Sequence, residues 1–141
     1  MTIYLPIQLT DWKEVYTHVL GGRAHFSIVS KKTNTHFTYR IVRSPKYKWL
    51  FAVWVKDDKK YKYVGTWNGK TLKFYWNPKK SIPRSWKRYQ GFVWVWRHVV
   101  NRQMPTETFV YRDERCRACG KRLTNPKSIK LGIGPECIKR R

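Results

Sequence analysis

The sequence holds 3 cysteines, and all of them lie near its C-terminal end. Cys116 and Cys119 sit in the run Cys116-Arg117-Ala118-Cys119-Gly120, and Cys137 follows Gly132-Ile133-Gly134-Pro135. Two thiolates separated by two residues form a tight knuckle, and the glycine after the second lets the backbone turn so that its amides point at sulfur. Three thiolates suit Zn2+, a borderline-soft ion that takes tetrahedral sulfur and nitrogen ligands. An odd number of cysteines, two of them in a Cys-x-x-Cys, also fits metal ligation in a reducing compartment better than a disulfide framework. A redox dithiol is the competing reading, but no strand of thioredoxin type precedes the pair.

A closed tetrahedral site needs a fourth ligand, and no fourth cysteine exists. His98 is the favoured candidate, with Asp113 or the more distant His18, His25 and His36 as alternatives; a histidine beside Arg97 with no ligand role is the bland reading of His98.

The second chemistry is electrostatic. The chain carries 31 Lys+Arg against 8 Asp+Glu, a formal net charge of +23. Self-repulsion on that scale opposes compaction unless a polyanion offsets it. From Lys59 to Pro105 there is no carboxylate, while Lys59, Lys60, Lys62, Lys70, Lys73, Arg84, Lys87, Arg88 and Arg97 can each hold a phosphate without reading a base. Tyr61, Tyr63 and Trp76 stand among these cations, and rings interleaved with positive charge are the mixture used on single strands. Trp54 falls out of phase with Phe51, so some rings must leave the core. An anionic membrane, an acidic protein partner or simple solubility are weaker explanations, because soluble surfaces intersperse both signs.

Enzyme chemistry finds little support. Carboxylates are few, histidines are scattered, and there is no phosphate loop, nucleophile elbow or His-x-Glu partner for a deaminase-type metal site. The expectation is a protein that is not an enzyme.

These residues need elements to position them. Asp11 before Trp12, with Glu14 three residues on and Val15, Tyr16 and Val19 at helical spacing, predicts a helix over 11–20 that Gly21-Gly22 ends. From Arg23 the period becomes two: Ala24, Phe26 and Ile28; Phe37, Tyr39 and Ile41; Phe51, Val53 and Val55; Tyr61 and Tyr63; and a last run to Trp76 after the turn signal Asn68-Gly69. The sum over 23–76 is a five-stranded antiparallel meander. A helix follows over 85–102, with Tyr89, Phe92, Val93, Trp96, Val99 and Val100 on one stripe. Residues 105–111 read as a linker, and 112–141 as a small module that cannot bury a core unaided and needs a metal staple. The fold class expected is α+β: a body over 1–104, with one or two helices packed on the meander, and the zinc-stapled module behind it. No run approaches the apolar length of a membrane helix, and Met1 to Leu9 lacks the features of a secretory signal, so the expected location is the cytoplasm.

The segment from Cys116 to Cys137 follows the pattern Cys-x-x-Cys-Gly-x-x-Leu-Thr-x-Pro-x-Ser-x-x-x-Gly-Ile-Gly-Pro-x-Cys. In this it resembles a zinc-binding C-terminal module of unassigned function found in many bacteriophage and some bacterial proteins. Members also carry an upstream part resembling residues 23 to 100, including a strand like Phe26 to Thr33 and a helix like Trp94 to His98. The resemblance implies a phage origin, with the host cytoplasm as location, a zinc site at Cys116, Cys119 and Cys137, and the company of nucleic-acid-handling proteins. It implies no reaction. The group often has a histidine four residues before the first cysteine, and Arg112 stands there instead, which leaves the fourth ligand open.

The function expected is a phage nucleic-acid-binding protein of low sequence specificity, with DNA or RNA as partner and Zn2+ as cofactor. The alternative is a phage-encoded inhibitor of a host defence (CRISPR-type) ribonucleoprotein that occupies its nucleic-acid-binding site. Neither an oligomeric state nor a pathway is legible.

Overall fold

The computed structural model describes residues 7–140. Alternating apolar and polar positions produce strands that share one wide antiparallel sheet. In chain order the elements are β1 Ile7–Leu9, α1 Trp12–Val19, β2 Arg23–Ser30, β3 Thr35–Arg43, β4 Leu50–Asp57, β5 Lys60–Asn68, β6 Lys73–Tyr75, α2 Lys87–Val100, β7 Thr108–Arg112, α3 Pro126–Leu131 and α4 Pro135–Lys139.

The meander β2 to β6 forms as predicted, but the sheet has 7 strands in the order β1-β7-β2-β3-β4-β5-β6. This corrects the five-stranded expectation. The segment read as a linker supplies β7, which lies between β1 and β2 and pairs with both: Leu9 faces Val110, and Ile28 faces Val110 from the other side. Thr108, Val110 and Arg112 are buried while Phe109 and Tyr111 are half-buried, so β7 has the two-residue period of its neighbours. Five residues between a proline and a charged run are too short for that period to stand out before the pairing is known. β1 is a strand of 3 residues, too short for the sequence to predict.

One face of the sheet carries the core. Ala24, Phe26 and Ile28 of β2, Tyr39 and Ile41 of β3, and Phe51, Val53 and Val55 of β4 are buried there against Val15 and Val19 of α1 and Phe92, Val95, Trp96 and Val99 of α2. The run Val93 to Trp96, whose alternation would also suit a strand, is helical because its neighbours complete a stripe at a period of 3.6. Asp11 caps α1, its side chain accepting from the Lys13 amide at 2.6 Å. Tyr39 reaches through the core to donate its hydroxyl to the Arg88 carbonyl at 2.5 Å, fixing α2 along the sheet.

Two local features depart from the simplest reading. Asn68-Gly69 does not make a two-residue hairpin turn. Asn68 Oδ1 accepts from the amides of Lys70 and Thr71, and the loop runs on to Leu72, which has a positive φ of 61°. In the β4–β5 pair the register shifts between Val53 and Trp54, so that Val53 faces Gly65 while Trp54 faces Tyr63. Val64 is the extra residue of this bulge, and it turns inward to be fully buried. Among the described residues no helix is long and apolar enough to cross a membrane.

Candidate metal centre and basic surfaces

The cysteine segment has its own small core, in which Cys116, Leu123 and Ile133 are buried with Ile129 and Ala118 packed beside them. Short elements place the sulfurs. The knuckle closes where the Gly120 amide donates to the Cys116 carbonyl at 2.8 Å, with Gly120 at φ 79°. Asn125 caps α3, Gly132 ends it in the left-handed conformation, and Pro135 starts α4, which carries Cys137 in its first turn. The result brings the Sγ atoms of Cys116, Cys119 and Cys137 within 4.8 Å of one another.

The donor set fits a metal ion. Tetrahedral sulfur ligands at about 2.3 Å from zinc would stand roughly 3.8 Å apart, so a small contraction of the cluster closes the site. The Gly134 amide already donates to Cys116 Sγ at 3.3 Å. Burial alone would raise the Cys116 thiol, but the amides of Gly134, Cys119 and Ala118 outweigh it and bring the group down to about 7. Cys137 moves the other way, held protonated by burial and by the two sulfurs beside it. A cation resolves that conflict, because only a positive charge at the centre lets all three ionise together.

His98 does not join them. The group of ligand atoms contains the three cysteines alone among the described residues. His98 Nδ1 instead bonds the Trp94 carbonyl at 2.7 Å, and its ring lies 4.4 Å from that of Trp94. The physical reason is β7. It carries the chain antiparallel to β2 from the Ser30 end, where Trp94 lines a cavity with Ser30 and Thr108, toward the Arg23 end, where the Arg23 amide donates to the Arg117 carbonyl. An eight-residue strand separates those ends by roughly 23 Å. The other candidates are also engaged or distant: Asp113 pairs with Arg115 at 3.0 Å, His18 is buried in the core, and His25 and His36 occupy the face of β2 and β3 away from the helices. All three cysteines line an open concavity of ≈ 540 Å³ together with Lys121, Arg122 and Arg140.

The module is bound firmly to the sheet. Arg112, four residues before Cys116, is buried, and its Nη2 donates to the Ile129 carbonyl at 2.7 Å. It thereby satisfies the C-terminal end of α3. Gly21 has no room for a side chain, since an added Cβ would sit 2.5 Å from the Arg117 carbonyl oxygen.

The basic residues divide into two groups. Near the β4–β5 turn, Lys59 and Lys60 are exposed; Lys62 and Arg88 flank Asp57 at 2.7 and 3.4 Å and hold its carboxyl below the usual range; Lys87 is exposed at the start of α2. Arg84 lies over the Trp76 ring at 4.3 Å, and Trp76 Nε1 donates to the Ile82 carbonyl, so that ring is already occupied on one face. At the other end of β5, Lys70 sits 3.8 Å over Trp49, with Lys73 exposed nearby on β6. The ends of β5, a strand of 9 residues, are roughly 26 Å apart, so these cations do not form one patch. Arg97 is exposed on α2. Tyr61 and Tyr63 lie on the sheet face opposite the helices, where Trp54 pairs with Tyr63 and Arg40 covers Tyr61. Arg40 and Tyr111 are not among the residues that the sequence marks for a site, and Tyr47 and Trp49, whose alternation with Phe51, Val53 and Val55 predicts a strand from Tyr47, are instead exposed ahead of β4. The polar phase of β3 marks Arg40, whereas Tyr111 was hidden in the segment whose pairing was unknown.

The family model described as Family of unknown function (DUF6011) matches residues 106–141, the cysteine module together with β7. No curated protein and no solved structure matches the chain.

Proposed function

We propose that the protein binds nucleic acid with little sequence specificity and that Zn2+ at Cys116, Cys119 and Cys137 holds its C-terminal module folded. One observation carries the binding reading. Among the described residues only three ion pairs form, and their cations are Lys62, Arg88 and Arg115, in a chain of net charge +23. The positive field is therefore not offset internally. It spreads over both ends of the sheet and along α2, which suits an extended polyanion better than a single acidic group. Among the described residues no helix offers a row of base-reading side chains toward a groove, and the exposed lysines and arginines are of the kind that grip phosphate.

The all-sulfur donor set favours zinc, as does the small size of the core that Cys116, Leu123 and Ile133 form in the module. When bound, the ion would supply structural cross-linking between the knuckle and α4. The chain's own part is to hold the three sulfurs in place with the Gly120, Gly132 and Gly134 turns and to aim amides at Cys116.

The test is the salt dependence of binding to oligonucleotides of mixed sequence. If about five phosphates are neutralised, the log–log slope should be about −3.5 on single strands and about −4.5 on duplex. Replacing Arg84, Lys87 and Arg97 with Ala should weaken binding to all sequences alike and make the slope shallower. Absence of binding to any oligonucleotide at about 0.1 M salt, where exposed charges still act over roughly 10 Å, would refute the reading.

A further inference from the structure

The sheet has a face on which, among the described residues, no helix packs. Core residues alternate along β2 to β4 and β7 with residues of the opposite phase, and it is these that face the open side. Register shows what they are. His25 stands opposite Arg40, Arg40 opposite Trp54, and Trp54 opposite Tyr63, giving a row across four strands. A second row runs Tyr111, Ser27 and Thr38, and Lys56 faces Tyr61 beside it. Neighbouring positions within a row are about 4.8 Å apart, the separation of adjacent strands.

The composition of this face is selective. It holds three rings in its centre, Trp54, Tyr61 and Tyr63, with Tyr111 toward one side and Tyr75 toward the other. Trp54 and Tyr63 meet edge to face at 5.3 Å and an interplanar angle of 63°, an arrangement that leaves ring faces unstacked. The Arg40 guanidinium lies over the Tyr61 ring, its Cζ 4.5 Å from the ring centroid, and Arg40 takes part in none of the ion pairs among the described residues. Ser27 and Thr38 add hydroxyls, in mutual contact at 3.1 Å. The outward positions of β2 to β7 carry no carboxylate. Asp113, at the margin, is paired with Arg115.

Resting on the nucleic-acid reading above, we infer that this open face is a stacking platform for single-stranded nucleic acid, with bases lying on Trp54, Tyr61 and Tyr63 and the backbone held by Arg40 and Lys56. Each element has a physical reason. Rings held on a sheet can stack on any base whatever its edge, and a guanidinium plane can do the same. Duplex bases have no free faces to offer. A second copy of this chain is a poorer occupant, because Arg40 and Lys56 would meet the same cations across the interface without a carboxylate to pair them. The platform lies on the opposite side of the sheet from α2, so it is separable from Arg84, Lys87 and Arg97.

The experiment measures the affinity of the full zinc-loaded chain for a short oligothymidylate, an oligouridylate of equal length and a duplex of equal length. Trp54→Leu and Tyr63→Leu should each lower single-strand affinity roughly 10-fold or more and leave duplex affinity within about 2-fold; Trp54→Phe should retain most of it. Comparing the two single strands tells DNA from RNA. Ultraviolet cross-linking of oligothymidylate to the unaltered protein, mapped by mass spectrometry, removes any dependence on how the variants fold, and the expected adducts are on Trp54, Tyr61 or Tyr63. Adducts confined to the Lys59 and Lys87 region, with single-strand affinity unmoved by Trp54→Leu, would overturn the platform while leaving nucleic-acid binding intact. Sedimentation showing a dimer that Tyr63→Leu dissociates would overturn it as well. No binding to any of the three probes would overturn both readings together.

Discussion

Arg112 Nη2 donates to the Ile129 carbonyl at 2.7 Å, so a side chain from a central strand of the sheet closes the end of a helix in the cysteine module. The same nitrogen lies 3.4 Å from the Lys130 carbonyl, and Nη1 lies 3.4 Å from that of Asp113. Carbonyls at a helix C-terminus have no partner within the helix, and a cation there also complements the dipole. Arg112→Met keeps the stem and removes the donors. Hydrogen bonds from a charged donor are worth about 1.5–3 kcal/mol, and that loss should appear in denaturant unfolding. Faster amide exchange confined to 126–132 should accompany it.

Metal content is the second expectation. Protein prepared without chelator should hold one zinc ion per chain, and Cys116→Ser or Cys137→Ser should abolish it. Because β7 is held by ladders on both sides, the sheet should survive either change while amides of 116–140 lose protection. Elemental analysis with hydrogen exchange checks both. Collapse of exchange protection across β2 to β5 would show that the staple supports the entire fold.

His18 makes the stability pH-dependent. Its Nε2 lies 2.8 Å from the His25 carbonyl, which can only accept, so Nε2 carries the proton; Nδ1 is buried with no partner. Charging the ring would place an unsatisfied donor in the core. Desolvation by burial is the leading cause of the shift, the neighbouring Arg112 and Arg117 charges add to it, and the bond to His25 opposes it; together they lower the group from 6.5 to about 4. A depressed pKa in the folded state means that the unfolded chain binds the proton first. The contribution is therefore complete above about 6.5 and is lost as pH falls toward about 4, by about 3 kcal/mol at most. His18→Gln should flatten that part of the stability profile measured by urea titration.

Gly21→Ala tests the seam between body and module. The new methyl would meet the Arg117 backbone at 2.5 Å, and backbone cannot swing aside as a side chain can. Overpacking of this kind costs about 1–3 kcal/mol. Thermal melting should show it, with zinc affinity reduced in the same variant because Arg117 lies between two ligands.

The meander was legible because each strand holds enough alternating residues to declare its face, as Phe51, Val53 and Val55 do against Trp54. The α1 cap and the α2 stripe were legible for the same reason. β7 was not, since Thr108, Val110 and Arg112 form its inward phase and an arginine in that phase reads as surface. Its burial makes sense only once the Ile129 carbonyl is known to be there. The cysteine trio could be read directly from spacing. A histidine fourth ligand could not be tested by spacing at all, because the distance from His98 to the knuckle depends on where β7 carries the chain. Charge was readable in amount but not in layout: Lys60 and Lys70 lie in one basic stretch of sequence and at opposite ends of one strand.

The place of β7 between β1 and β2 also governs how the protein must fold. Residues 23–76 can pair locally, each hairpin closing a short loop, yet β2 keeps an unpaired edge until a segment some eighty residues later arrives to fill it. Closing that gap is the slow step expected in refolding, and until then the open edge invites pairing with another chain. A fragment ending before Thr108 would leave that edge permanently open. Such truncations should be recovered as aggregates, with the kinetic hazard of the intact chain turned into a lasting one.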